Sequence, residues 1–109
     1  MKKGDVWLVD LTDGKGHEQK GERPAIILGG ANGLYITVPL TTNSNCAKFS
    51  FTETIEPNKE NGLSDYSVAL VFQLAALDKK RFRRKMGQIT GEKLKTIDCL
   101  IEDLLGLQK

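Results

Sequence analysis

The order of apolar patterns along the chain predicts a small, mostly antiparallel β-barrel with a terminal helix packed against it. Three observations carry this. Short runs rich in Val, Ile, Leu and aromatics succeed one another from Val6 to Ile89, separated by Gly- and Asn-containing breaks. One of those breaks, Asn32-Gly33, is a strong tight-turn dipeptide between two such runs, the mark of an antiparallel hairpin. Helical spacing occurs only at the end, where Leu94, Ile97, Leu100, Ile101, Leu104 and Leu105 form one apolar face. Strands first and a helix last place the helix on one face of an antiparallel sheet.

In chain order, Val6 to Leu11 reads as a strand with aromatic and β-branched content. Thr12 to Gly21 is polar, contains three glycines and reads as a loop. Ala25 to Leu28 reads as a short buried strand ended by Gly29-Gly30, and Leu34 to Val38 runs back as its hairpin partner. Phe49 to Ile55 alternates apolar and polar residues with period two in its first half, as a half-buried strand does. Glu56 to Asp65 is a second polar loop, marked by Pro57, Asn58 and Asn61-Gly62. Val68 to Leu74 is near-continuously apolar and reads as a central strand, in which Gln73 needs a partner or a ligand. Lys85 to Ile89 reads as a last short strand, and Thr90 caps a helix running to about Leu107.

The 109 residues suit a single domain spanning the chain, with enough length for a core and small enough that dimerisation helps bury surface. Met1-Lys2-Lys3 is followed at once by Gly4-Asp5 and not by the apolar run of a secretory signal. No stretch approaches the ~18 apolar residues of a membrane span. Cys46 and Cys99 lie far apart without metal-type spacing, and there is one His, so no zinc site is expected. Both cysteines read as buried or half-buried thiols of a reducing cytosol. The net charge is +2, unevenly spread: six of the sixteen basic residues (Lys79, Lys80, Arg81, Arg83, Arg84, Lys85) lie within seven positions, leaving ten basic against fourteen acidic residues elsewhere. One basic patch on a mildly acidic body is either a polyanion footprint or a solvated hairpin.

The chemistry concentrates at Arg23, a fixed cation directly before Pro24 and an apolar strand. The next strand ends in Pro39-Leu40-Thr41-Thr42-Asn43. A guanidinium at the start of one strand and hydroxyls at the end of its neighbour form a compact anion site, and Arg offers phosphate paired planar donors.

Gly4-Asp5-Val6-Trp7-Leu8-Val9-Asp10-Leu11, Lys15-Gly16-His17-Glu18-Gln19 and Arg23-Pro24-Ala25 together resemble the MazF/PemK family of bacterial toxins. The resemblance continues through Val38-Pro39-Leu40-Thr41-Thr42 and Ser67-Val68-Ala69-Leu70, with Gln73 three residues on, and covers nearly the whole chain. It implies an SH3-like barrel shared with CcdB toxins, a cytoplasmic homodimer, and sequence-specific cleavage of single-stranded RNA without a metal or other cofactor. It implies attack of the 2′-hydroxyl on the adjacent phosphorus, and an antitoxin partner with a disordered acidic and apolar tail. Arg23 and Thr41 are the implied catalytic pair. Lys15, His17, Glu18, Gln19, Thr42, Asn43, Gln73, Arg81 and Arg83 are the candidate substrate-binding residues. His17 stands where the family often has a small Ser.

Each role has a plainer counterpart. Arg23 either holds the non-bridging phosphate oxygens or clamps the loop by pairing with Glu18 or Glu22. Thr41 donates to the phosphate, supports Arg23, or merely ends a strand. Thr42 points to the other face if the strand continues. Glu18 is a general base, a reader of base amino groups, or a solvated carboxylate. His17, with an ordinary pKa of ~6.5, suits proton transfer or lies idle on the surface. Phe82, between cations, is a stacking platform or plain core. Two whole-protein alternatives are a CcdB-like topoisomerase poison, which has no need of the Arg-Pro and Thr-Thr cluster, and an RNA-binding module without catalysis.

Overall fold

The computed structural model describes residues 1–11 and 21–107. Seven strands and a C-terminal helix follow in order: β1 (Asp5–Asp10), β2 (Glu22–Ala31), β3 (Leu34–Thr41), β4 (Thr52–Ile55), β5 (Ser67–Leu70), β6 (Ala75–Asp78), β7 (Phe82–Gln88) and α1 (Gly91–Leu105). Short 3₁₀ turns occupy Ser44–Lys48, Val71–Gln73 and Lys79–Arg81. All pairings are antiparallel, in the order β4-β5-β3-β2-β1-β7, with β6 also on β3. The class is the predicted one, but this hydrogen-bonded path does not close into a ring.

Asn32 and Gly33 both have positive φ (57° and 82°), the backbone of a type I′ turn whose twist matches its strands. The hairpin it makes is longer than predicted. Gly29-Gly30 does not end β2, because a register shift between Ile27 and Gly29 keeps both glycines in the ladder, against Ile36 and Tyr35. The apolar run Val68 to Leu74 is not one strand. It breaks after Leu70 into the Val71–Gln73 turn and resumes as β6, so that one edge of β3 pairs with β5 at Leu40–Thr41 and with β6 at Leu34–Thr37. The turn buries Val71 and leaves Phe72 and Gln73 exposed, so Gln73 is not the buried amide the apolar run suggested. The strand expected from Phe49 begins only at Thr52, and the strand expected from Lys85 begins already at Phe82.

One sheet face supplies Val6, Ile26, Val38, Leu40, Ile55 and Ala69 to the core, and α1 covers it with fully buried Ile97. Leu94, Leu100, Ile101 and Leu104 pack around that centre, as their spacing predicts. Thr90 Oγ1 accepts the Lys93 N–H (3.2 Å), and Gly106 ends the helix in the left-handed region. Lys93 Nζ ties the first turn to β4 through Glu53 (2.7 Å) and the Thr54 carbonyl (2.9 Å). Cys46 is half-buried, but Cys99 is exposed, because it falls on the outer side of α1 away from the Leu/Ile stripe. No helix among the described residues is long and apolar enough to cross a membrane.

Candidate functional site

The register brings the two strand ends together. Ala25 faces Pro39 across the β2–β3 ladder. The β2–β3 ladder ends at that pair; Arg23 lies two residues beyond it on β2 and Thr41 two residues beyond it on β3, each on the same side of its own strand as its member of the pair. Val9 lies opposite Arg23 on β1, and Val68 lies opposite Thr41 on β5. Both valines are buried. Each of the two residues is thus flanked by a buried valine, where water screens charge poorly and the pull of a guanidinium on an anion is strengthened.

The polar atoms there are not used up. Arg23 Nε is buried and has no hydrogen-bond partner among the described residues. Among the described residues Arg23 forms no ion pair, so the expected clamp with Glu22 is not made; their alternating positions on β2 send the two side chains to opposite faces. Thr41 is 7% exposed, and its Oγ1 accepts the Asn43 N–H at 3.2 Å, which leaves its own O–H to donate. Asn43 in turn accepts from Asn45 N–H (3.1 Å) and caps the Ser44–Lys48 turn. The strand stops at Thr41, so Thr42 does not alternate to the opposite face of a continuing strand, but lies exposed in the connection. A buried guanidinium Nε without a partner among the described residues and a hydroxyl able to donate are groups that suit an oxyanion.

Residues 2–105 match the family of PemK-like, MazF-like toxins of type II toxin–antitoxin systems. The chain belongs to this family. It is 35% identical over 112 aligned positions to the endoribonuclease MazF of Staphylococcus saprophyticus, covering 98% of this chain and 92% of that one. The fold superposes on MazF of Deinococcus radiodurans with a TM-score of 0.78 at 27% identity, covering 97% and 96% of the two chains. It also superposes on a MazE–MazF structure from the same organism, with a TM-score of 0.74 at 23% identity, covering 97% and 95%.

Of the residues expected to serve the site in a PemK/MazF-like chain, several gather at one end of the sheet. Arg81 Nη1 donates to the Asp10 carbonyl (3.2 Å), and Arg83 Nη2 pairs with the Asp10 carboxylate (2.7 Å). Asp10 faces Glu22, next to Arg23, so both arginines are tied to the edge of the same region. Lys15, His17, Glu18 and Gln19 lie outside the described residues. The segment that carries them is joined at its base by the Leu11 N–H to Gly21 carbonyl bond (2.9 Å), two residues from Arg23. Gln73 is exposed in the turn that joins β5, paired with β3 at Leu40–Thr41, to β6, paired with it at Leu34–Thr37. Phe82 is half-buried, edge-on to Trp7 (6.1 Å) and Tyr35 (5.5 Å), which is the plain core reading. Asp10 was not singled out in the sequence. Its signal was its position at the end of β1, on the threshold of the polar loop.

Proposed function

We propose that this protein is the toxin of a toxin–antitoxin pair and acts as a metal-independent, sequence-specific endoribonuclease on single-stranded RNA. The observation that carries the reading is the Arg23–Thr41 pair at the strand ends, with a buried Nε unpartnered among the described residues and a hydroxyl free to donate. Family membership and the MazF endoribonuclease relative support the same reaction class.

In the reaction, the 2′-oxygen forms a bond to the adjacent phosphorus as the bond to the 5′-oxygen breaks. A base takes the 2′-proton, and an acid returns a proton to the leaving oxygen. Arg23 holds the non-bridging oxygens and stabilises the charge that grows on them. It is unsuited to removing the proton, because arginine stays charged at any working pH. Thr41 donates to the same phosphate or steadies Arg23. Glu18 and His17 are the candidates for proton transfer. The protein works as a homodimer, and its antitoxin carries an acidic, apolar tail.

The test incubates purified protein with a long single-stranded RNA in EDTA and maps the cut ends, with Arg23→Ala alongside. Discrete cuts with 2′,3′-cyclic phosphate and 5′-hydroxyl ends are expected. The variant should lose at least about a hundredfold in rate, the scale of removing one charge-stabilising donor. Intact RNA, or equal cutting by the variant, overturns the reading.

A further inference from the structure

We propose that the exposed aromatic pair Phe49–Phe72 is a stacking platform for an unpaired nucleobase flanking the scissile phosphate. The proposal rests on the endoribonuclease reading and places a second contact beside the Arg23–Thr41 site.

The two rings are 6.0 Å apart and nearly perpendicular (81°). They are 49% and 39% exposed, among the few large apolar side chains left in water. Their backbones are held. The Phe49 N–H donates to the Cys46 carbonyl (3.1 Å), the Phe49 carbonyl accepts from Thr52 Oγ1 (2.9 Å), and the Phe72 N–H donates to the Phe51 carbonyl (3.3 Å). Phe51 between them has φ 61°, a left-handed conformation that a bulky side chain adopts only under constraint. That turn lets Phe51 pack against the core while Phe49 is exposed. Such strain is concentrated where structure serves ligands.

The pair also lies where β4 begins and β5 ends, next to the strands that flank Thr41. Thr41 faces Val68, Val68 faces Thr54, and Thr52 two residues back shares their face. The Thr52 hydroxyl donates to the Phe49 carbonyl and so anchors the Phe49 backbone next to that row. Leu70, opposite Thr52, sits two residues from the Thr41 row, about 7 Å along the strand. Exposed Lys48 precedes Phe49, and exposed Gln73 follows Phe72. A ring face with a cation and an amide beside it is the composition that binds single strands, with stacking for the base and charge for its phosphate. The aromatic interleaved with cations in the sequence, Phe82, is half-buried and edge-on to Trp7 and Tyr35, and so is less open to a base.

Leucine keeps apolar bulk and removes the ring, so Phe49→Leu and Phe72→Leu test stacking, and Phe49→Tyr restores it. Affinity would be measured by fluorescence anisotropy on a mixed-sequence RNA with 2′-O-methyl groups throughout, which cannot be cut. KM and kcat would be read on unmodified RNA, and oligomeric mass by light scattering. Each leucine variant should bind on the order of tenfold more weakly, the usual scale of one lost base stack. KM should rise more than kcat falls, the salt slope should stay that of the wild type, and Phe49→Tyr should bind as the wild type does. Equal affinity of wild type and leucine variants sinks the platform, as does an affinity loss that tracks dissociation of an oligomer, which would assign the pair to contact between copies. A wild type that binds the methylated RNA through these rings but cuts nothing overturns the endoribonuclease reading alone. One that binds no RNA overturns both.

Discussion

Asp5 is a carboxylate buried at the start of β1, and its protonation is linked to folding. Burial alone would raise its pKa. The Lys2 N–H (2.8 Å) and the Lys85 ammonium (3.5 Å) outweigh that and hold the group below the ordinary carboxylate range. With the folded pKa depressed, the contribution is complete above the unfolded value near ~3.9 and is lost as pH falls through the folded pKa. Asp5→Asn should therefore lower stability by about 1–3 kcal/mol at neutral pH, and by less in acid, where the wild type loses the same interaction. Urea denaturation at pH 7 and pH 3 checks this; an equal loss at both would refute the linkage. At this scale the sequence was informative where chemistry is carried by residue type. Arg23 before a proline and Thr41 at a strand end stood out by residue type and position as candidates for a phosphate site. Phe49 was not, because its alternating neighbourhood reads as a half-buried strand, and only the left-handed Phe51 turns it outward.

At the scale of elements, the turn and the helix caps were legible because Asn32-Gly33 and Thr90 act locally. The break between β5 and β6 was not, because both sides of it are apolar and the cause is tertiary: β3 offers one edge to two strands. Another tertiary constraint lies at Gly87 on β7. The Gln88 N–H donates to the Glu60 carbonyl at 2.8 Å, drawing the 56–62 loop onto the strand. A Cβ at Gly87 would collide with that same Glu60 carbonyl and with the Asn61 backbone. Backbone cannot move aside as a side-chain tip can. Gly87→Ala should cost about 1–3 kcal/mol by overpacking, read as a lower urea midpoint with an unchanged slope. A midpoint within error of wild type would mean that the loop shifts freely and does not define the strand's environment. Asn61 argues against such freedom, since its side chain bonds the Asn58 and Leu63 N–H groups and the Glu56 carbonyl.

Over the whole molecule, charge is arranged more tightly than a count of residues indicates. The basic run Lys79 to Lys85 was visible as a patch, but its internal order was not. Asp10 takes Arg83 on its carboxylate and Arg81 on its carbonyl, Lys85 faces Asp5, and Arg84 stands exposed opposite Leu8. These contacts set the patch against the β1–β2 end of the sheet, where Arg23 and Thr41 lie. A surface so ordered differs from a solvated hairpin in one measurable respect: it releases counterions when a polyanion binds. For a single strand, log K falls against log salt with a slope of about −0.7 per phosphate neutralised. Replacing Arg81, Arg83 and Arg84 together with Gln should thus weaken RNA binding at low salt and flatten that slope by up to about 2. The bond that is cut should stay the same, because in the proposed reaction Arg23 holds the reacting phosphate. The triple variant must first be shown to fold, since the Asp10 side chain that Arg83 pairs with is only 23% exposed. A folded variant with the wild-type salt slope would reduce the patch to a solvated face. A flattened slope with a moved cut site would mean that the patch sets the register of the strand as well as its affinity.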